Sequence, residues 1–166
     1  MIVVSDTSVL CYLALLGKLD LLGSLFGEIV IPVEVVDECR HAGAPEALRR
    51  LFDVELPAPA YIRMDSCASL LPETAALDAG EAAAISLAWE HRQNSLVLID
   101  ERIGRAVALA LGLKVRGLLA LLADGHRHGL LDFDEAIESL RQQRFRVSSA
   151  LLQTFRRELR LPESSP

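Results

Sequence analysis

The sequence predicts an α/β fold with a mainly parallel sheet, and three observations carry that expectation. Short apolar runs alternate with stretches of helical periodicity through the first two thirds of the chain. The two clearest runs, IVVS at 2–5 and LVLI at 96–99, are apolar without alternation and bounded by polar residues, the pattern of strands buried on both faces. Each is followed at once by an acid, Asp6 after the first and Asp100 after the second. In an open α/β sheet, the carboxyl ends of the strands are where ligands bind.

The elements follow in order. The strand at 2–5 leads into a helix over about 8–25, interrupted near Gly17. GEIVIP, 27–32, is a weaker strand ended by Pro32, whose fixed φ suits the start of a helix over about 33–41. A short helix is expected over 45–52. From 54 to 72 the chain carries Pro57, Pro59 and Pro72 and little periodicity, which marks a connection with one edge strand around 61–64. Helices at 79–92 and 101–111 flank the strand at 96–99, and LKVRG, 113–117, is the last strand. Beyond Gly117 the pattern is helical: GLLALLADGHRHGLL, then FDEAIESLRQQ and SSALLQTFRREL, before PESSP. The expected organisation is an α/β core over 1–125, a helical extension of the same domain over 126–160 and a disordered tail over 161–166. His126, Arg127 and His128, between Gly125 and Gly129, read as a helix end whose basic groups complement the helix dipole.

Bulk properties narrow the class. A chain of 166 residues, 51% hydrophobic and 24% charged, suits one ordinary core. Met1 runs straight into IVVSDTS with no basic leader, and VLCYLALL stops at Gly17 and Lys18, short of the roughly 20 apolar residues of a membrane span. A cytoplasmic protein with no membrane contact is therefore expected. Cys11, Cys39 and Cys67 are odd in number, widely spaced and without a CxxC pair, and read as reduced core thiols. A net charge of −6 excludes a chain that coats nucleic acid through its overall field. Six of the fifteen arginines nevertheless fall between Arg141 and Arg160, where Glu158 is the only acid. That stretch reads as a solvated helix face or as a contact for phosphate or an acidic partner.

Each acid has a structural reading beside a functional one. Asp6 stands next to Thr7 and Ser8, both good helix caps, so capping alone does not require it and it reads as a site residue. Asp100 and Glu101 open a helix, where the macrodipole favours negative charge by roughly 0.3–1 kcal/mol. Two adjacent carboxylates still repel unless a cation or guanidinium intervenes, and Arg102 and Arg105 are the neighbours. Asp78-Ala79-Gly80-Glu81 has the spacing of a capping box, while Ala82, Ala83 and Ala84 would let that helix approach the sheet and carry Glu81 into the crevice. Glu34 and Glu38 share a helix face and Asp37 lies about 100° away from Glu38, which leaves open which of them reaches a common site.

Taken together, IVVSDTS, VEVVDEC, LDAGEAAAISLA and LVLIDERIGRAVA resemble, in order and spacing, the motifs of PIN-domain proteins. The resemblance spans about residues 2–125 or somewhat beyond and is closest to the VapC-like ribonuclease superfamily, in a prokaryotic subgroup with LDxGE and LIDD-type segments. The pair LDAGEAAAISLA and LIDERIGRAVA carries most of its specificity. The resemblance implies a three-layer α/β/α sandwich with a short, mainly parallel sheet and a metal-dependent endoribonuclease, often the toxin of a toxin-antitoxin pair. Position by position, it implies Asp6, Glu38, Glu81 and Asp100 as the catalytic and metal-binding quartet, with Glu101 as a further ligand where members often carry a second Asp. RNA as substrate, an antitoxin protein as partner and a homodimer are implied as well. The sequence departs from the pattern in having Glu at 101.

An oxygen-only donor set of this kind suits Mg²⁺ or Mn²⁺ over Zn²⁺. Such an ion binds a phosphate oxygen, activates a water and stabilises the leaving oxygen. Ser5, Thr7 and Ser8 are candidate hydrogen-bond donors behind the carboxylates, and Arg102 and Arg105 candidate neighbours of the acids or of a phosphate. The alternative is a non-catalytic PIN-type module that binds nucleic acid or protein through its arginine-rich C-terminal stretch. A phosphotransfer or nucleotide-binding protein is disfavoured, because neither GxxxxGK[ST] nor GxGxxG follows a strand and DTS is not DxD.

Overall fold

In the computed structural model, which describes residues 1–143 and 145–161, fourteen α-helices and β-strands follow in order. They are β1 (Ile2–Ser5), α1 (Thr7–Leu15), α2 (Asp20–Phe26), β2 (Ile29–Pro32), α3 (Val33–Arg40), α4 (Glu46–Leu51), β3 (Ile62–Asp65), α5 (Ala79–Glu90), β4 (Ser95–Leu98), α6 (Arg102–Ala110), β5 (Val115–Arg116), α7 (Leu118–Arg127), α8 (Phe133–Gln142) and α9 (Ser149–Glu158). The strands form one parallel sheet in the order β3-β2-β1-β4-β5. Helices flank it, giving the three-layer α/β/α sandwich. The order follows from the side chains. In β2 and β4 every residue is buried, as both-face coverage requires, whereas β3 carries Arg63, an exposed Met64 and Asp65 and takes an edge.

Val3 pairs with Leu96 and Ser5 with Leu98, and the Asp6 N–H continues the ladder to Leu98 O at 3.0 Å. From β1 the chain moves outward through β2 to β3, then returns to place β4 on the other side of β1. The strand order therefore switches between β1 and β4, and the crevice beyond their carboxyl ends is where this topology binds ligands. Asp6 and Asp100 stand at that crevice.

The helix that completes it is α5, buried from Gly80 through Ala88. Its alanines permit close approach: Ala84, Ile85, Leu87 and Ala88 pack with Val4, Val30, Val97 and Ile99 of the sheet region and with Ala108 of α6. A helix apolar all round belongs in a core, between the sheet and its neighbouring helices. The helix expected over 8–25 is two helices, bent by 117° at the break that holds Gly17, whose φ is +62°. Among the described residues, no single helix is long and apolar enough to cross a membrane. Of the three cysteines only Cys39 is buried, which pushes its thiol up to about 12; Cys11 and Cys67 are half-buried.

Packing divides the chain into two compact units, Met1–Leu118 and a second beginning at Leu119. In the second unit Phe133 is fully buried and tilts against Phe155 at 6.2 Å between ring centroids. His126 Nδ1 accepts the Phe133 N–H at 3.2 Å, so this histidine serves the start of α8. Two arginines of the basic stretch meet acids nearby, Arg156 with Asp134 and Arg141 with Glu138 at 3.8 Å, and Arg127, ahead of the stretch, pairs with both Asp124 and Glu158. Arg144 and, except for Leu161, the expected tail over 161–166 lie outside the described residues.

Candidate active site

The crevice is built first from the end of β1. Helix α1 starts at Thr7, one residue earlier than expected, and this puts Asp6 itself at the N-cap, with extended backbone at φ −85° and ψ 176°. Its Oδ1 accepts the Val9 N–H at 3.2 Å, and its Oδ2 accepts the Ser8 hydroxyl at 2.7 Å. The expectation that Thr7 or Ser8 would cap the helix is thus corrected: Asp6 caps, and both hydroxyls turn to carboxylates. Ser5, by contrast, donates to the backbone oxygen of Asp6 at 3.1 Å. Asp6 is 1% exposed. Burial pushes its carboxyl up to about 7, against the Ser8 and Val9 hydrogen bonds and with the added repulsion of Glu81.

The end of β4 supplies Asp100. Its Oδ1 accepts the Leu118 N–H at 3.0 Å, and its own N–H donates to Ser8 Oγ at 3.3 Å. One serine therefore ties the two strand ends together. Glu101 is exposed and forms the α6 N-cap without a side-chain cap bond. Arg102 is exposed, while half-buried Arg105 donates through Nη1 to Ile99 O at 3.0 Å and so braces the backbone just before Asp100. Tyr12, on α1, faces the same acids; burial, then the charges of Asp100 and Glu101, push its phenol up.

Two helices close the crevice. On α3, Glu38 accepts the Thr7 hydroxyl at Oε2 and the Gly80 N–H at Oε1, 2.7 Å away, and so links α1, α3 and α5. Its neighbour Asp37 is exposed and lies 3.8 Å from Arg40. Glu34 is half-buried and its Oε2 has no partner. On α5, Asp78 Oδ1 accepts the Glu81 N–H at 2.8 Å, the first half of the capping box. The Glu81 side chain turns inward instead: the residue is 7% exposed and its Oε1 is buried with no hydrogen-bond partner. Burial first, then the charges of Asp78, Glu101 and Glu38, push its carboxyl up to about 7.

Glu81 thus feels the charges of Glu38, Asp78 and Glu101 and adds its own to Asp6, while Ser8 links Asp6 to the Asp100 backbone. Among the described residues, no group of three or more His, Cys, Asp or Glu side chains is set as it stands to hold a metal ion. The chemistry of the donors nevertheless fits a hard divalent cation. A buried carboxylate oxygen without a partner is costly, and two buried carboxyls raised to about 7 lack a countercharge that a cation would supply. Tyr12 and, beyond its place in the capping box, Asp78 carry no spacing signal in the sequence that marks them as neighbours of the site.

A family model described as PIN domain matches residues 2–160, which extends the likeness through the C-terminal helices. No curated protein and no solved structure matches the chain.

Proposed function

Since the chain belongs to the PIN-domain family, a nuclease-type family, we propose that it is a divalent-metal-dependent endoribonuclease hydrolysing RNA phosphodiester bonds. The observation that carries this reading is the unpartnered, buried Oε1 of Glu81 in a crevice shared with the buried carboxyl of Asp6. Asp6, Glu81 and Asp100 would hold Mg²⁺ or Mn²⁺, with Glu38 and Glu101 at the margin. When bound, such an ion supplies an activated water and charge stabilisation at the phosphate. The protein's own part is positional. Ser8 holds Asp6 and the Asp100 backbone in register, Arg105 braces the Ile99 carbonyl, and Thr7 with the Gly80 N–H fixes Glu38. Buried between the sheet and α5, Asp6 and Glu81 are screened from bulk water, which strengthens every charge interaction there. In a toxin-antitoxin pair, the partner would be an antitoxin protein that covers this acidic crevice.

Incubating a mixed RNA pool with Mn²⁺ tests the reading. Wild type is expected to cleave, a chelator to stop it, and Asp100→Asn to lower the rate by at least about 100-fold, the usual scale for losing one electrostatic group at a reacting centre. Equal cleavage by both proteins would assign the activity to a contaminant. No cleavage by a folded, Mn²⁺-loaded wild type would favour the non-catalytic binding module.

A further inference from the structure

Three glycines of the crevice each stand against a different one of its acids. A Cβ on Gly80 would lie 2.5 Å from Glu38 Oε2, one on Gly104 2.6 Å from Glu81 Oε1, and one on Gly117 2.8 Å from Asp100 Oδ1. At such distances something must shift, and in each case what would shift is the carboxylate end of the acid. None of the three needs glycine for its backbone: the positive-φ glycines are Gly17, Gly27, Gly112 and Gly129, and a Cβ at any of those would meet open space. Gly80 and Gly104 also lie in the first turns of α5 and α6, where glycine is a poorer helix former than alanine. Local structure argues against glycine there, and the neighbouring carboxylates argue for it.

We propose that Gly80, Gly104 and Gly117 are positioning residues that leave the slots in which Glu38, Glu81 and Asp100 are held to face the metal. The case is clearest at Gly104. Glu81 Oε1 has no hydrogen bond, so only the surrounding surfaces fix it, and the bare face of Gly104 is one of them. Ile99 Cδ1, 2.5 Å from the same Cβ position, is another. At Gly80 the arrangement is double, since its N–H also binds the carboxylate that its missing Cβ admits. At Gly117 the slot is shared with Arg105 Nη1, at 2.6 Å, which brings the brace of the Ile99 carbonyl against the Asp100 carboxylate.

The proposal rests on the metal-site reading, and matched pairs of substitutions separate the two. A methyl added at a slot should be offset by shortening the acid that fills it. Metal-free unfolding midpoints and Mn²⁺ affinity by electron paramagnetic resonance would be measured for Gly80→Ala, Glu38→Asp, Gly104→Ala, Glu81→Asp, the matched doubles Gly80→Ala with Glu38→Asp and Gly104→Ala with Glu81→Asp, and the two crossed doubles. Each glycine variant is expected to lower the midpoint and to weaken Mn²⁺ binding by about 10-fold or more, the scale of losing an outer support. Each matched double should recover part of both losses, less fully at Gly104 because Ile99 stays in place, while the crossed doubles, which leave each added methyl against a full-length acid, recover neither. Glycine variants that bind Mn²⁺ as wild type does, or crossed doubles that recover as well as matched ones, overturn the proposal. If Gly104→Ala does not fold, the Gly80 pair decides. A wild type that binds no Mn²⁺ overturns the metal reading and with it the metal-directed role; matched recovery in the unfolding data would then leave the slots as packing alone.

Discussion

Without metal, the protein is expected to lose stability as pH rises from about 4 to about 7, and Asp6→Asn is expected to remove about half of that loss. The sign follows from the two raised carboxyls. Asp6 titrates near 7 in the folded chain against its ordinary 3.8, and Glu81 near 7 against 4.5. Between those values the folded state binds protons that the unfolded state has released, so stability falls as pH rises. Below the ordinary values both states are protonated and the acids contribute nothing. Above about 7 the penalty is complete, and for Asp6, moved from 3.8 to about 7, it is on the order of 4 kcal/mol. The penalty arises because burial withdraws the Asp6 carboxylate from water by more than the Ser8 and Val9 hydrogen bonds offset, with Glu81 adding like charge; Glu81 is buried in turn and meets the like charges of Asp78, Glu101 and Glu38. Asparagine keeps an oxygen for the Val9 N–H cap and carries no charge. Melting temperatures in chelator at about pH 5 and pH 8 check this. Wild type should melt lower at the higher pH, and Asp6→Asn should melt above it there. Mn²⁺ at about 100 times the wild-type dissociation constant should stabilise wild type by about 2.7 kcal/mol and the variant by about 1.4 kcal/mol or less. A flat pH response, or a variant less stable than wild type at pH 8 without metal, would contradict the electrostatic account.

Cleavage is expected to depend on the acids in the order of their enclosure. Asp6→Asn and Asp100→Asn should each lose about 100- to 1,000-fold in kcat/KM, because both are fixed by hydrogen bonds at the strand ends where the charge must act. Their double variant should be little worse than the poorer single, since groups that act through one bound ion fail as a unit. Glu101→Gln should lose less than about 10-fold, given that Glu101 is exposed and its side chain makes no cap bond. Single-turnover kinetics on one cleaved RNA would rank the variants. A loss at Glu101 as large as at Asp6 would move the centre of the site outward, to the start of α6.

The sheet was legible because its central strands are short, apolar and unalternating, a pattern that few other elements produce. Asp6 and Asp100 were legible for the same reason, since a residue one or two steps past a buried strand has its position fixed by the strand. The edge position of β3 could be read from its proline-flanked, mixed composition. Asp37 and Glu38 show where this reading stops. Helical spacing sets the angle between them but not the phase of the helix against the sheet, and the contacts that hold Glu38 come from Thr7 and Gly80, 31 and 42 residues away. The cap on α1 was misplaced by one residue, because Asp, Thr and Ser in succession all satisfy the same local preference. Gly80 and Gly104 gave no local signal except an unfavourable helix propensity, whose cause lies in carboxylates brought in by other parts of the fold.

Mn²⁺ binding by electron paramagnetic resonance at about pH 8, with wild type and Asp6→Asn compared at equal far-ultraviolet circular dichroism, tests the carboxylate crevice most directly. Wild type should bind Mn²⁺ at millimolar concentration or below and release it to Mg²⁺, while Asp6→Asn should bind at least about 10-fold more weakly. A folded wild type that leaves millimolar Mn²⁺ free, or an Asp6→Asn variant that binds it equally well, would contradict the account.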